Sequence, residues 1–329
     1  MKSFLLPPQS VLNSIKTCKR AVVCGHEAPD GDCANSVMAM GLLLKALGKE
    51  VYLVNDGPFF RPEIEFIKEK LTENLPEEIL NKDTLGVVVD CSTFDRLGTK
   101  WEYFKNFTIT VVDHHSSGVE FGDFRYIVPK SISTTLLIYQ LYKALDVPLT
   151  QEVAQYIFRG FATDSGYFKF LHEDSGETLR IVADLADHGV VPNDEYHYIS
   201  GGKSLSQVKF LGELINRVES FYDGKVLISH EEKEDFETYG DNARASDDLY
   251  ASLTLVKGVQ AVFFFKISKR KENSIEVGIR SNHSCSFNAG SFAALFGGGG
   301  HAKAAGLTLE GSFLEVKETI LSRVKEFLD

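Results

Sequence analysis

Histidine and aspartate side chains recur at four places in the first half of the sequence, and both residue types bind metal ions. The first place is the segment GHEAPDGDCANS, which contains His26, Asp30 and Asp32 within seven residues. Imidazole and carboxylate groups are common ligands of divalent transition-metal ions. Pro-Asp-Gly-Asp is also favourable turn chemistry, so this segment alone fits a metal site and a polar turn equally well.

A further aspartate, Asp90, finishes the apolar run LGVVVD, which is typical of a buried strand. Six residues later, Arg96 could contact a phosphate or pair with Asp95. The alternative role for Asp90 is to cap a following helix.

The run TITVVDHH ends in Asp113, His114 and His115. Neighbouring side chains of an extended segment point in opposite directions, so one histidine could bind a metal ion while the other faces a substrate. Asp113 could accept a hydrogen bond from an imidazole and orient it. The fourth place, GFATDSGYF, has Asp164 at the end of a helical pattern, and alone it is an ordinary turn sequence.

Taken together, these residues predict a metal-dependent hydrolase of phosphate esters. Carboxylates gathered without cations would repel one another, and two divalent ions would balance four of them. Mixed imidazole and carboxylate ligands favour Mn²⁺, with Mg²⁺, Co²⁺, Fe²⁺ and Zn²⁺ also open. Two ions roughly 3.5 to 4 Å apart, sharing a bridging carboxylate, suit phosphoryl chemistry. Asp90 is our candidate for the bridging ligand.

The elements that must position these residues alternate between short β-branched runs and helical patterns. We predict strands over 21–24, 51–54, 85–90 and 108–113, and helices over 35–47, 131–145 and 151–163. Such alternation predicts an α/β fold with a parallel, doubly wound sheet. Ligands in such folds bind beyond the carboxyl ends of the strands, so the candidate residues should converge at that edge.

The second part of the chain has a different pattern. The periodicity loosens over 189–202, and one amphipathic helix is predicted over 204–222 as a connector. Predicted strands over 225–229, 259–268 and 275–280, a helix over 288–296, a glycine-rich turn, a further strand and a terminal helix follow. This pattern predicts a smaller α+β domain with a mixed sheet.

The bulk composition narrows the functional classes. No apolar run reaches the length of a membrane span, and prolines interrupt the first ten residues, so we expect a soluble, cytoplasmic protein. Five cysteines without a C-x-x-C pair fit a reducing compartment. A net charge of −11 disfavours binding to long nucleic acid but not to a short anionic ligand.

A second constellation lies near the C-terminus, where RSN closes a predicted strand and FGGGGHAKAAG follows. Glycines let backbone N–H groups approach an anion closely, and arginine and histidine add charged donors. A glycine run alone is more often a flexible turn. The candidate substrate-binding residues are Arg280, Ser281, Asn282, Gly298, Gly299, Gly300 and His301, together with Arg96.

The chain resembles the DHH family of phosphoesterases, which is named for the triplet seen here at 113–115. Its four ordered motifs match His26-x3-Asp30-x-Asp32, Asp90-x-Ser92-x3-Arg96, Asp113-His114-His115 and Gly160-x3-Asp164-Ser165-Gly166-x-Phe168. The C-terminal pattern is similar to the DHH-associated substrate-binding domain. The resemblance implies a catalytic domain over 1–188, a helical linker over 189–222 and a C-terminal domain over 223–329, with the active site in the cleft between the two domains.

The same resemblance implies a role for each site residue. His26 and Asp30 would hold one metal ion, Asp32, His114 and Asp164 the other, and Asp90 both. His115 would contact the scissile phosphate.

Within the family, the chain looks most like the oligoribonucleases of very short RNA that also remove the 3′-phosphate from adenosine 3′,5′-bisphosphate. Cyclic di-AMP phosphodiesterase, inorganic pyrophosphatase and exopolyphosphatase are alternatives with the same metal core. Pyrophosphate is disfavoured because it needs no contacts to a nucleoside. A nucleotide sensor that binds without cleaving is the non-enzymatic alternative. Short oligonucleotides or small nucleotides are the expected partners, with no membrane, and a homodimer stays open.

Overall fold

The computed structural model describes residues 6–59, 61–116, 118–171, 175–240, 245–268 and 271–329. The chain divides between Gly202 and Lys203 into two compact units, called unit 1 and unit 2 below. The predicted functional boundaries at 188 and 222 stay a prediction. Among the described residues, no helix has the length and hydrophobicity needed to span a bilayer.

Unit 1 is built on a five-stranded sheet over the residues described. Its strands are β1 (Arg20–Cys24), β2 (Glu50–Leu53), β3 (Thr84–Val89), β4 (Thr108–Asp113) and β5 (Phe124–Ile127), in the spatial order β2-β1-β3-β4-β5. All neighbouring strands are parallel. The strand order reverses between β1 and β3, so the segments that follow these strands flank the switch point where ligands bind in such sheets.

Helices and short helical turns surround this sheet. The α-helices are α1 (Gln9–Thr17), α2 (Gly31–Ala46), α3 (Trp101–Phe104), α4 (Thr134–Ala144), α5 (Gln151–Asp164), α6 (Gly176–Asp187) and α7 (Pro192–Ser200), with 3-10 helices at Pro62–Lys70, Glu77–Ile79 and Asp95–Lys100. Alternate residues of β3 pack into separate hydrophobic cores. Val87 shares a core with residues of α2, α4 and α5, whereas Val88 shares a core with residues of the short elements before β4. Burial on both faces explains why the strands read as continuous apolar runs.

Helix α2 begins four residues before the predicted start, because Asp30 acts as its cap. The Asp30 carboxylate accepts a hydrogen bond from the Cys33 backbone N–H at 3.1 Å. Asp32 therefore lies in the first helical turn, so the predicted helix start at residue 35 was wrong. The other predicted helices are close to observation, since α4 is capped by Ser133 and α5 ends at Asp164.

Unit 2 contains a six-stranded mixed sheet within its described part. The strands are β6 (Glu219–Phe221), β7 (Val226–His230), β8 (Ala261–Ile267), β9 (Ser274–Ser281), β10 (Gly299–His301) and β11 (Ala304–Glu310), in the order β10-β11-β9-β8-β7-β6. Only β7 and β8 are parallel among these pairs. The predicted fold class, a parallel α/β sheet followed by a smaller unit with a mixed sheet, is confirmed.

The helices of unit 2 cover both faces of its sheet. They are α8 (Leu205–Asn216), α9 (Lys233–Tyr239), α10 (Ser246–Leu253), α11 (Ala289–Ala294) and α12 (Phe313–Val324), with a final 3-10 helix at Lys325–Phe327. Residues of α11 and α12 share one core with the sheet, and residues of α8 and α10 share the other.

The segment over 189–202, where the sequence periodicity loosens, contains α7, whose first turn starts at Pro192. Two predictions about the second part were wrong. The helix predicted over 204–222 ends at Asn216, and β6 follows, so the residues after Asn216 do not continue the helical face. The glycine-rich turn is partly strand, because Gly299–His301 pairs with β11.

Candidate active site

His26 follows β1 and presents one ring nitrogen to nearby carboxylates. Its Nδ1 lies 2.8 Å from the Glu27 carbonyl oxygen, which assigns the proton of a neutral ring to Nδ1. Its Nε2 lies 3.9 Å from Asp30 Oδ1 and 3.8 Å from Asp90 Oδ2. The Asn55 amide donates to the His26 carbonyl at 2.9 Å and fixes this loop. The Nε2 lone pair is therefore directed to the position where a cation would be bound.

His114, which follows β4, is arranged in the same way. Its Nδ1 lies 3.2 Å from the Ser131 carbonyl oxygen, and its Nε2 lies 3.2 Å from Asp164 Oδ2 and 3.4 Å from Asp90 Oδ1. Burial opposes a charge on this ring, but hydrogen bonds to Asp164 and Asp90 raise the pKa of His114 to about 12. Without a cation the ring is thus protonated, and a metal ion bound there would release that proton.

Asp90 lies between these two histidines. Its Oδ2 faces His26 and its Oδ1 faces His114, so the two oxygens of one buried carboxylate address two different imidazoles. Its backbone has a φ of +52°, a left-handed conformation that aspartate adopts more readily than most residues. This turn directly after β3 aims the carboxylate into the cluster, in the arrangement expected of a bridging ligand.

Asp32 and Asp164 complete the carboxylate cluster. Asp32 is fully buried and accepts hydrogen bonds from the backbone N–H groups of Thr134 at 2.6 Å and Thr135 at 3.1 Å. Burial and the negative charges of Asp164 and Asp90 raise the pKa of Asp32. Burial likewise raises the pKa of Asp164 to about 6, although its hydrogen bond to His114 opposes the shift. A cation bound beside these two carboxylates would favour their ionised forms and lower both pKa values.

Asp113 orients His115. Its Oδ1 accepts hydrogen bonds from His115 Nδ1 at 2.7 Å and from the backbone N–H groups of His114 at 2.8 Å and His115 at 3.2 Å. Burial would raise the pKa of Asp113, but the hydrogen bonds from His115 lower it below the usual value. The hydrogen bond from Asp113 raises the pKa of His115 in turn. Among the described residues, none forms a hydrogen bond with His115 Nε2, so this atom can contact a ligand.

The donor set fits divalent cations. Three groups have ligand atoms within 4.8 Å of one another: His26 with Cys33 and Asp90, Asp90 with His114 and His115, and Asp32 with His114 and Asp164. Within the described part of the chain, no lysine or arginine forms an ion pair with Asp32, Asp90 or Asp164. The positive charge that this cluster needs must therefore come from protonated histidines or from bound cations.

Sequence reasoning missed several residues at this site. Thr134 and Thr135 contact Asp32 from the first turn of α4, and the sequence at these positions predicted only a helix. Cys33 was not among the predicted site residues, yet its sulfur lies within 4.8 Å of the candidate ligand atoms of His26 and Asp90.

Arg96 lies in the 3-10 helix that follows β3. Its backbone carbonyl accepts a hydrogen bond from the Glu27 N–H at 2.6 Å, which ties this segment to the loop of His26. The partly exposed guanidinium has no ion pair with Asp95 or with any other described carboxylate. Its predicted contact with substrate stays open to test.

In unit 2, two of the predicted substrate-binding residues, Arg280 and His301, lie on one face of the sheet. Arg280 of β9 pairs with Ala304 of β11, which pairs with His301 of β10. Residues opposite each other in antiparallel strands share a face. Arg280 and His301 therefore flank Ala304, and all three are at least partly exposed.

The adjacent row on the same face consists of glycines. Gly278 of β9 pairs with Gly306 of β11, which pairs with Gly299 of β10. A Cβ added at Gly299 would meet no atom within 4 Å, and one at Gly306 would meet only the Val277 carbonyl, at 3.7 Å. The fold itself does not require glycine at these two positions, which is typical of a place where a ligand approaches the backbone.

The other predicted residues of unit 2 have structural contacts. Gly300 has a φ of +144°, and a Cβ at Gly298 would lie 2.3 Å from the Gly306 carbonyl oxygen, so the hairpin requires both glycines. The Asn282 amide donates to the Thr254 carbonyl at 2.8 Å, and the Ser281 hydroxyl lies 3.4 Å from a backbone carbonyl oxygen. Direct contacts of Ser281 and Asn282 with substrate stay a prediction.

Family models match most of the chain. The model described as the DHH family, N-terminal domain, matches residues 20–161, and the DHHA1 domain matches residues 211–329. The first match contains all candidate metal ligands except Asp164, and the second contains the exposed face around Arg280 and His301.

Individual proteins are similar over nearly the full length. The bifunctional oligoribonuclease and PAP phosphatase NrnA of Thermus thermophilus is 31% identical over 93% of this chain and 89% of its own length. The solved structure of an exopolyphosphatase-related protein from Bacteroides fragilis superposes with a TM-score of 0.86 at 21% identity, covering 99% of this chain and 98% of that one. RecJ of Thermus thermophilus in complex with Mn²⁺ superposes with a TM-score of 0.54 at 14% identity, covering 99% of this chain and 55% of that one.

Proposed function

This chain belongs to the DHH family, and we propose on that premise that it binds two divalent cations and hydrolyses phosphate esters of short oligonucleotides and of adenosine 3′,5′-bisphosphate. The observation that carries the proposal is the position of Asp90, whose two carboxylate oxygens face His26 and His114 respectively. A single carboxylate so placed is suited to join two cations.

The ligands divide into two sets around Asp90. His26, Asp30 and Asp90 would hold one ion, and Asp90 with Asp32, His114 and Asp164 would hold the other. Ions bound there would supply an activated water and neutralise charge on the phosphoryl oxygens. We propose Mn²⁺ because it accepts mixed imidazole and carboxylate ligands, and because a RecJ structure of the same fold is a Mn²⁺ complex.

The remaining residues of unit 1 act on the phosphoryl group. Asp113 holds the Nδ1 proton of His115, so Nε2 can donate a hydrogen bond to a phosphoryl oxygen when the ring is charged. Arg96, which has no carboxylate partner among the described residues, would place a second cationic donor near the phosphate.

The exposed face of unit 2 supports a nucleotidic substrate. Strands lie roughly 4.8 Å apart, so Gly306 and Gly299 on neighbouring strands leave about 5 Å of backbone uncovered, which a planar base could approach, and the Tyr250 hydroxyl covers the same row at Gly278. Arg280 and His301 border this surface and provide donors for phosphate or base atoms. The NrnA relative, named as an oligoribonuclease and PAP phosphatase, motivates the choice of short RNA and adenosine bisphosphate.

An Asp90→Ala variant tests the proposal. We expect it to lose the shared ligand, and its turnover of a dinucleotide with Mn²⁺ to fall by more than about 1,000-fold, on the order of 4 kcal/mol in the activation barrier. The matched control is Asp123→Ala, which removes a carboxylate of the same unit that accepts a hydrogen bond from the Ile109 backbone N–H at 2.7 Å and is not a proposed metal ligand. Near-normal turnover by Asp90→Ala would refute the bridging role.

A further inference from the structure

The first turn of α4 contacts two of the proposed metal ligands at once. Thr134 donates its backbone N–H to Asp32 Oδ2 at 2.6 Å and its hydroxyl to Asp90 Oδ1 at 3.1 Å. Thr135 donates both its backbone N–H, at 3.1 Å, and its hydroxyl, at 2.9 Å, to Asp32 Oδ1. All four of these residues are buried, so the contacts are shielded from competing water.

The acceptor capacity of Asp32 is largely used by these donors. Each carboxylate oxygen has two lone-pair positions. On Oδ1, both positions are taken by the N–H and O–H groups of Thr135, whereas Oδ2 accepts only the N–H of Thr134. One acceptor position therefore remains, and it belongs to Oδ2.

We propose that Thr134 and Thr135 are positioning residues that make Asp32 a one-oxygen ligand through Oδ2 and hold it in register with Asp90. This inference rests on the proposed function, because it concerns how the metal ligands are held. The helix α4 starts at Thr134, so its N-terminal dipole also stabilises the buried Asp32 carboxylate. Through its backbone N–H and its hydroxyl together, Thr134 joins Asp32, a ligand of one ion, to Asp90, the ligand shared by both.

Gly160 of α5 keeps this arrangement compact. A Cβ at Gly160 would lie 2.4 Å from Thr135 Cγ2 and 2.6 Å from Asp32 Oδ1. Even one methyl group there would displace the threonine or the carboxylate. Gly160→Ala is therefore an independent way to disturb the same contact without removing a hydrogen-bonding group.

Mn²⁺ binding to the full chain, measured by electron paramagnetic resonance, tests the inference. We expect Thr135→Val to lower the affinity for at least one of the two Mn²⁺ ions by about 10- to 100-fold, since substituting an outer hydrogen-bond partner of a metal ligand has effects of this size. Thr135→Ser keeps the hydroxyl and should restore binding to within about threefold of wild type. Gly160→Ala should lower the affinity for the same ion.

The matched control is Thr110→Val, which removes a buried hydroxyl of β4 that lies 2.8 Å from the Ser14 hydroxyl. This variant should bind two ions with unchanged affinity. Wild-type affinity in a folded Thr135→Val variant would overturn the positioning role while leaving the metal centre intact. A wild-type chain that binds no Mn²⁺ would overturn the proposed function and this inference together.

Discussion

The candidate site of unit 1 and the exposed face of unit 2 are built in opposite ways. In unit 1, the side chains are mostly buried and hold one another: Asp113 fixes His115, carbonyl oxygens fix His26 and His114, and α4 fixes Asp32. In unit 2, the face is partly exposed and consists largely of backbone beside Arg280 and His301. The site in unit 1 consists mainly of charged side chains held by hydrogen bonds, whereas the face in unit 2 offers an open surface that a ligand of suitable shape could approach. Substitutions in unit 1 should therefore lower turnover, whereas those in unit 2 should weaken substrate binding.

The largest effect that separates the two regions is expected at His115. In His115→Ala, kcat should fall by about 100- to 10,000-fold, since positioned acid–base groups contribute this much. Mn²⁺ binding should persist, because Asp113, and not a proposed metal ligand, is the closest partner of the ring. His188→Ala, which removes a histidine bonded to a backbone carbonyl in α6, is the control. Loss of both ions in His115→Ala would make this histidine a metal ligand instead.

Arg280 should show the complementary behaviour. Its truncation to alanine should raise the KM for a dinucleotide by about 10- to 100-fold, since hydrogen bonds to charged groups contribute about 1.5 to 3 kcal/mol. Turnover of pyrophosphate should change little, because that substrate needs no nucleoside contact. Arg323→Ala, which removes an exposed arginine paired with Glu326, controls for net charge. An equal loss of activity with the dinucleotide and with pyrophosphate would show that Arg280 does not determine which substrate is preferred.

A side chain at Gly299 should block the bare backbone of this face. Gly299→Val should raise the KM for a dinucleotide by about tenfold, and the free energy of unfolding should change by no more than about 0.5 kcal/mol, because the added atoms extend into open space. Gly212→Ala on α8, whose Cβ would also meet no neighbour, is the control for an open glycine. An unchanged KM would show that the substrate does not approach this row.

The smallest effect is expected at Tyr250. The Arg280 guanidinium carbon lies 4.6 Å from the centre of the Tyr250 ring, and a Cβ at Gly278 would lie 2.1 Å from the tyrosine hydroxyl. A cation–π contact of about 0.5 to 1 kcal/mol predicts a two- to fivefold rise in KM for Tyr250→Leu. Tyr250→Phe retains the ring and should behave as wild type. A larger loss in Tyr250→Phe than in Tyr250→Leu would contradict this account.

The sequence predicted the parts of the site that lie at strand ends. Asp90, Asp113 and His114 follow continuous apolar runs, so a parallel sheet necessarily brings them to one edge. Thr134 and Thr135 could not be found in this way, because their contact with Asp32 spans more than a hundred residues and depends on how α4 approaches α2. A sequence pattern predicts which helices and strands form, whereas contacts such as these depend on how the helices and strands pack together.

The second unit shows the same limit at shorter range. The glycine run over 297–300 predicts a flexible turn on composition alone, but Gly299 and Gly300 pair with β11 and form an edge strand. The row of Gly278, Gly306 and Gly299 becomes visible only once the register of three strands is known. Likewise, the helix predicted over 204–222 ended early because the residues after Asn216 pair with β7.

A Mn²⁺ assay of the full chain against a dinucleotide, a pentanucleotide, adenosine 3′,5′-bisphosphate, cyclic di-AMP and pyrophosphate tests the central claim most directly. If unit 1 holds the metal ions and unit 2 holds a nucleotide, kcat/KM for the dinucleotide and for adenosine bisphosphate should each exceed that for pyrophosphate by at least about 100-fold, on the order of 3 kcal/mol. Pyrophosphate turnover above that of the dinucleotide, or binding of nucleotides without any hydrolysis, would contradict the account.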